Sequence, residues 1–257
     1  MLYAKDIMNR GVISISSDMT VLEAAKLMID GGQLGRLYHA RSTGFRRRGR
    51  PYVDGYGTAY FVQKEIAGGG ALYDMGVYHL AQLLYLLGLP EVERVSGKTY
   101  QEMDMNQARR ENAGFNVEEL GLGFVRFAGG LTMDIIEAWS ISLDSLEGSS
   151  IIGSRGGLRL EPFSFHATVN DMDMNSKFDL DSADYRRRQL GEDGDAYDSP
   201  QHHWVAALLG RVDLLPTDAI ALQAMLISEA IYLSDKLGRE VLARDVAEAS
   251  KSTALRV

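Results

Sequence analysis

Hydrophobic positions change period several times along the chain, and each change marks an element. "GVISIS" sets Val12, Ile13 and Ile15 among small polar residues and predicts a short strand. "SDMTVLEAAKLMIDGG" then places Val21, Ala24, Ala25, Leu27 and Met28 at helical spacing, with Thr20 and Glu23 forming a capping box and Gly31 as the stop. "LGRLYHARST" predicts a second strand, and a Gly/Arg/Tyr-rich loop follows to about Tyr60. "GGGALYDMGVYHLAQLLYLLG" is a glycine-led helix anchored by Leu80, Leu83, Leu84 and Leu87. Two hairpins come next: "ELGLGFVRFAGGLTMDIIEAWSISL" around its AGG turn, and "EGSSIIGSRGGLRLEPF" around Gly156-Gly157. "FSFHATVN" and "SKFDLD" predict further strands, and "DSADYRRRQLGEDGDAYD" a charged loop or short helix. "SPQHHWVAALLG", with Ser199 and Pro200 at N-cap and N1, and "TDAIALQAMLISEAIYLSDKLG", stopped by Gly238, predict two closing helices. The pattern predicts an α+β fold: a single mostly antiparallel (mixed) β-sheet with helices on one face and a small N-terminal β-α segment. The bare sheet face is expected to seat a second copy of the chain, giving a homo-oligomer.

The glycine-led helix carries polar groups in an apolar run. Asp74 and Tyr78 are four residues apart, hence one turn apart on a shared face. A carboxylate orienting a phenol is a proton-transfer pair for a substrate hydroxyl. The alternative keeps Asp74 as a favourable charge at the helix N-terminus and Tyr78 as a half-buried aromatic. Gly76 between them costs about 1 kcal/mol relative to alanine, a sign that a backbone or ligand approaches closely there. The three leading glycines are expected to leave the helix N-terminus open.

Composition narrows the chemistry. The 257 residues contain no cysteine, which excludes disulfides and thiolate sites and fits a cytoplasmic protein. A net charge of −8 argues against a nucleic-acid partner. The longest apolar runs are shorter than the ~20 residues of a membrane span, and "MLYAKDIMNRG" has no signal core. "GFRRRGRP" concentrates Arg46, Arg47, Arg48 and Arg50, whose guanidinium forks suit carboxylate or phosphate, though a solvated or subunit-contact loop reads equally well. His202 at a helix start can reach a substrate hydroxyl. It points away from its neighbour His203, and with no third ligand at suitable spacing no metal site is expected. "DMDMN" and "GEDGDAYD" lack calcium-loop spacing and are expected to be solvated loops.

"EIAGGGALYDMGVYHLAQLLYLLGLPEVERVSGKTY" resembles the signature of the glucose–fructose oxidoreductase/inositol dehydrogenase/MocA family, in which GGG-x-L-x-D-x-G is followed by His or Tyr four residues after the Asp. "LMIDGGQLGRLYHARSTGFRRRGRP" resembles that family's passage into its substrate domain, and "HHWVAALLGRVDLLPTDAIALQAMLISEAIYLSDKLGREV" its C-terminal end. The resemblance implies an oxidoreductase acting on a sugar, cyclitol or related alcohol with NAD or NADP. It implies Asp74 and Tyr78 as the catalytic pair and a substrate contact from Arg46 or Arg48; His79 and His202 are further candidate substrate contacts. His79 lies one residue, about 100°, off the Asp74–Tyr78 face and reads as a helix-packing residue before a catalytic one.

The sequence departs from that family in two motifs. "GYGTAY", "GGGALY" and "GLGFVR" contain G-x-G, but none ends on a small residue or opens a helix after an N-terminal strand, so no dinucleotide fingerprint and no complete Rossmann domain is read here. The family's lysine-bearing EKP motif is also missing from these residues. "AKDIMNRGVISISSDMTVLEAAKLMIDGG" resembles half of a CBS motif instead. Residues 1–32 are therefore expected to be a partial CBS-like segment and residues 22–257 a substrate-binding and oligomerisation domain sharing the helix at 22–32. The expected function is that of a substrate domain without its own cofactor domain. Two alternatives stand beside it: a non-catalytic sugar-binding or oligomerisation module, and a CBS-type nucleotide-responsive protein.

Overall fold

Strand parity decides the layers. In the computed structural model, which describes residues 14–178, 180, 194–197 and 199–250, the strand Thr132–Ala138 buries Met133, Ile135 and Glu137 and leaves Thr132, Asp134 and Ile136 half-exposed. A period of two with one wet face is what an antiparallel neighbour and one covering layer of helices produce.

The elements run α1 (Ser14–Asp30), β1 (Leu37–Phe45), α2 (Lys64–Ala67), α3 (Ala71–Asp74), α4 (Gly76–Leu86), β2 (Val92–Tyr100), α5 (Gln107–Ala113), β3 (Leu120–Phe127) and β4 (Thr132–Ala138). Then come β5 (Ser150–Gly153), β6 (Gly157–Arg159), β7 (Ser164–Val169), β8 (Met172–Lys177), α6 (Pro200–Leu208), α7 (Thr217–Leu237), β9 (Val241–Leu242) and α8 (Ala243–Ala249). Nine strands form one sheet in the order β8-β7-β6-β5-β1-β4-β3-β2-β9. β1 and β4 pair in parallel, with Ser42 beside Ile135 and Gly44 beside Glu137, and the other pairings are antiparallel.

The covering layer fits the sheet through missing side chains. A Cβ on Gly121 would strike Leu72, and one on Gly123 would strike Ile231 of α7, so glycine in β3 lets two helices sit against the strand. Leu80, Leu83, Leu84 and Leu86 of α4 join Met133, Ile135, Val125, Ile227 and Ile231 in the main core. A smaller core of Val53, Val62, Phe115, Val117 and Trp139 lies under the arginine-rich loop. On the opposite face His39 Nε2 stands 2.9 Å from Asp134 Oδ1, and Arg41 Nε donates to Asp134 Oδ2 at 2.7 Å. Among the described residues no helix is long and apolar enough to cross a membrane.

Both predicted hairpins form, as β3–β4 and β5–β6. Ser199 caps α6 by accepting from the His202 N–H, and Gly238 ends α7 in the left-handed region. Four local expectations are corrected. Ile15 lies in α1, which begins at Ser14, so it is helical; Val12 and Ile13 lie outside the described residues. Thr20 is inside that helix and not its cap, because the helix gains extra turns ahead of it. "DMDMN" supplies most of β8: it alternates with a period of two, Asp173 and Asn175 facing solvent on an edge strand while Met174 packs partly on the main core. "SKFDLD" contributes only Ser176 and Lys177 to that strand. Most of the charged segment 181–198 lies outside the described residues.

Candidate functional site

The parallel strands β1 and β4 end together, and the chain leaving each is tied to the other. Arg46 N–H donates to Ala138 O at 2.8 Å, Gly49 N–H to Trp139 O at 2.9 Å, and Trp139 N–H to Glu119 O at 2.8 Å. These bonds fix Arg46 and Trp139 side by side at the carboxyl ends of the strands. In open sheets with parallel strands this is where ligands bind.

The glycine-led segment lies across this end. Two short pieces, α3 and α4, meet at Met75, so Asp74 and Tyr78 sit on either side of a break and not on one regular helix. Asp74 Oδ2 accepts from Trp139 Nε1 at 2.8 Å and lies 4.0 Å from Arg46 Nη1. Arg46 also donates to the Tyr56 hydroxyl, which itself donates to Gly49 O. Burial of Tyr56 pushes its phenol up, against the lowering effect of the Arg46 charge. Tyr78, by contrast, is 68% exposed.

His79 has a defined partner. Its Nδ1 lies 2.9 Å from Glu137 Oε2, while Ser42 Oγ donates to Glu137 Oε1 at 2.9 Å. Glu137 is fully buried, and that burial pushes its carboxyl pKa up against the lowering pull of His79 and Ser42. The side chain of His79 keeps 28% of its surface accessible. Gly76, expected to mark the approach of a backbone or ligand, instead meets a side chain: a Cβ there would stand 3.2 Å from Glu137 Cγ.

The N-terminus of α3 is closed, which corrects the expectation of an open one. The buried Glu118 carboxylate accepts from Gly70 N–H at 2.9 Å and from Leu72 N–H and Tyr232 Oη–H at 3.0 and 2.8 Å. An internal anion thus occupies the place an external one would take. This bears on the implied dinucleotide. Of the G-x-G sequences, Gly68–Gly70 leads into these occupied amides, and Gly121–Gly123 lies in mid-strand under Leu72 and Ile231. Gly55–Gly57 is a loop in which both glycines have positive φ. The first two of these glycine pairs do not fit a dinucleotide pyrophosphate, their amides or faces being already occupied.

The remaining predicted residues fall elsewhere. Arg48 lines a polar cavity of about 380 Å³ with Arg50, Asp54, Asp104 and Arg109. Arg50 is buried, its guanidinium donating to Asp54, to Glu119 at 3.0 Å, and to the carbonyls of Met103 and Asp104 at 3.1 Å. His202 stands on α6 with its Nδ1 2.9 Å from the Ser199 hydroxyl. The structure therefore brings Arg46, Asp74, Trp139 and Tyr56 into one contact network, and His79, Glu137 and Ser42 into a second.

Trp139, Glu137, Ser42 and Tyr56 were not singled out from the sequence. Glu137 and Trp139 had a legible signal: in "MDIIEAW" they continue the parity of Met133 and Ile135, so an acid stands at a core-facing position.

The profile of the GFO/IDH/MocA C-terminal domain matches residues 22–159, and that of the CBS domain residues 4–38. The chain is 28% identical over 149 residues to D-glucoside 3-dehydrogenase of Escherichia coli K12, which takes in 55% of this chain and 41% of that protein. The WlbA dehydrogenase of Bordetella pertussis, solved in complex with NADH and UDP-GlcNAcA, superposes with a TM-score of 0.61 at 21% identity, covering 87% of this chain and 61% of that one. The aldose-aldose oxidoreductase of Caulobacter crescentus, solved with glycerol, gives 0.57 at 20%, covering 88% and 60%. The chain thus spans about two fifths of the curated relative and about three fifths of the solved structures. The profile match takes in more than half of the 257 residues, the mixed sheet is shared with the solved structures, and the chain belongs to the GFO/IDH/MocA family through its C-terminal domain.

Proposed function

We propose that residues 22–257 form the substrate-binding domain of an oxidoreductase acting on a sugar or related polyol. The observation that carries the reading is Asp74, held by the Trp139 N–H at 2.8 Å and faced by Arg46 at 4.0 Å where β1 and β4 end. A carboxylate so fixed accepts hydrogen bonds from a polyol in one orientation, which is what positioning a hydroxyl for proton transfer requires. The names of the similar proteins support the substrate class: a glucoside dehydrogenase, and structures holding a nucleotide sugar and glycerol. Asp74 and Tyr78, at the motif spacing, are the proton-transfer pair proposed, and Arg46, Arg48, His79 and His202 the substrate contacts proposed. NAD or NADP is the redox partner proposed, supported by the NADH in the Bordetella structure, and held by residues other than the glycine turns described above.

Residues 1–32 are read as a partial CBS-like segment that serves this domain. Val21, Leu22, Ala25, Met28 and Ile29 of α1 belong to or pack on the main core, which is the work of a structural helix. Half-exposed Leu122, Phe124 and Ile136 and the more exposed Ile152 on the bare sheet face support a homo-oligomer through that face. The cytoplasm is the proposed location, supported by a sequence free of cysteine.

The test is a thermal-shift screen of the intact chain with monosaccharides, glucosides, NAD(H) and NADP(H). A bound sugar raises stability by RT ln(1 + [L]/Kd), about 2.7 kcal/mol at a hundredfold excess over Kd. The expected result is a rise with at least one sugar, lost in Asp74→Asn, and none with a dinucleotide alone. No response to any sugar would overturn the reading.

A further inference from the structure

We propose that the cavity between α1, α4, α6 and α7 binds an uncharged aromatic molecule carrying one hydrogen-bond acceptor, which His203 meets from the wall. Neither Asp74 nor Arg46 lines this cavity, and the inference does not rest on the polyol reading.

The cavity follows from the two stripes of α4. Leu80, Leu83 and Leu84 enter the main core, while Val77, Ala81 and Tyr85, four residues apart in turn, line the cavity. Across from them α1 supplies Leu22 and Lys26, and α6 supplies His203 and Trp204. The volume is about 740 Å³ and most of the lining is apolar or aromatic, as in small-molecule sites. Trp204 keeps 59% of its surface exposed although it belongs to this wall. An indole left so open is a platform for a second aromatic ring.

His203 shows what that ring must carry. It is 7% exposed, and its Nε2 accepts from Leu215 N–H at 3.0 Å. The hydrogen of the neutral ring is therefore on Nδ1, and among the described residues this buried donor has no acceptor. An unmet buried donor costs about 1–3 kcal/mol, which an acceptor on a ligand recovers. Nδ1 is itself covered, so a ligand reaches it by displacing a neighbour. Tyr197, half-buried on the same wall and stacked on the imidazole with ring centroids 5.1 Å apart, is the side chain placed to move.

Charge sets the ligand class. Among the described residues Lys26 is the only lysine or arginine of the lining, and Asp30 holds it at 2.5 Å. Glu23 also lines the cavity and has a partner of its own. A phosphate or carboxylate entering here would lose its water without gaining an open cation, which excludes a nucleotide. A cationic ligand meets the same difficulty, since both acids are engaged. An uncharged ring with a carbonyl or ether oxygen meets neither, and it gives Nδ1–H its acceptor.

Prodan, an uncharged naphthyl ketone, titrated into the intact chain tests this by fluorescence. The expected result is saturable binding with blue-shifted emission. Ala81→Trp, which fills the cavity from α4, is expected to weaken it by about tenfold or more. His203→Phe keeps a ring against Tyr197 and removes the donor. It is expected to weaken prodan by about fivefold or more, and dimethylaminonaphthalene, which lacks the carbonyl, by less than about twofold. That substitution also leaves Leu215 N–H unpaired, so the wild-type chain gives an independent reading. In long-range proton–nitrogen NMR its His203 Nδ1–H resonance is expected to move with prodan and to stay in place with the carbonyl-free analogue. No saturable binding, binding kept in Ala81→Trp, equal wild-type affinity for the two probes, or an unmoved Nδ1–H resonance would overturn the proposal. So would a second copy seated on this wall, seen as a dimer that Trp204→Asp separates and prodan does not.

Discussion

Gly44 and His79 compete for one space: a Cβ on Gly44 would overlap the imidazole ring, whose Nδ1 lies 2.9 Å from Glu137. α4 can bring His79 to Glu137 of β4 only because Gly44, the β1 residue there, has no side chain. Gly44→Ala is therefore expected to push the ring off Glu137 and leave a buried carboxylate with Ser42 alone. Overpacking of this kind costs about 1–3 kcal/mol, and an orphaned buried acid adds to it. Urea unfolding measures the loss; a change below about 0.5 kcal/mol would mean that the ring moves aside freely.

Trp139 tests the other half of the site. Trp139→Phe keeps an aromatic in the small core and removes the N–H that holds Asp74. A hydrogen bond to a charged group contributes about 1.5–3 kcal/mol, so a stability loss of that order is expected. Sugar affinity should fall with it, because Arg46 alone, 4.0 Å away, does not fix the carboxylate in one orientation. Asp74→Asn in the Trp139→Phe background should then add little further loss of affinity. Full additivity of the two substitutions would separate the residues.

Parts of this arrangement are written locally in the sequence and parts are not. The β3–β4 turn, the Ser199 cap and the Gly238 stop depend on residues within a few positions, and sequence reading finds them. The break at Met75 is not visible in an apolar run with unbroken helical spacing; it places Asp74 and Tyr78 on separate pieces. The closing of the glycine-led N-terminus depends on Glu118, some 46 to 48 residues along the chain. Arg50 looked like one of four loop arginines, yet its partner Glu119 lies 69 positions away. What distinguishes it is tertiary, and so are the partners that decide which polar residues of α3 and α4 matter.

Two arginines of that loop give opposite expectations. Arg50 is 1% exposed and its guanidinium donates to Asp54, Glu119 and two carbonyls. Arg50→Met removes one partner of a buried ionic cluster and should destabilise by about 3–5 kcal/mol. Arg48→Ala, at an exposed position, should stay within about 0.5 kcal/mol. Parallel thermal melts decide the matter. Equal shifts would mean that the cluster around Glu119 is not a structural centre.

Glu118 predicts a pH dependence with a definite sign. Burial raises its carboxyl above the ordinary 4.5, and the N–H groups of Leu72 and Gly70 and the Tyr232 hydroxyl pull it only partly back. A carboxyl whose pKa is higher in the folded than in the unfolded chain binds its proton more tightly when folded. Its contribution is then complete below about 4.5 and declines as pH rises through the folded value. Glu118→Gln removes this titration, since the amide takes up no proton in that range. The stability of wild type minus that of Glu118→Gln should therefore fall as pH rises from about 4 toward neutrality, as followed by urea unfolding across the series. A difference that instead rises with pH would show that the three donors outweigh desolvation.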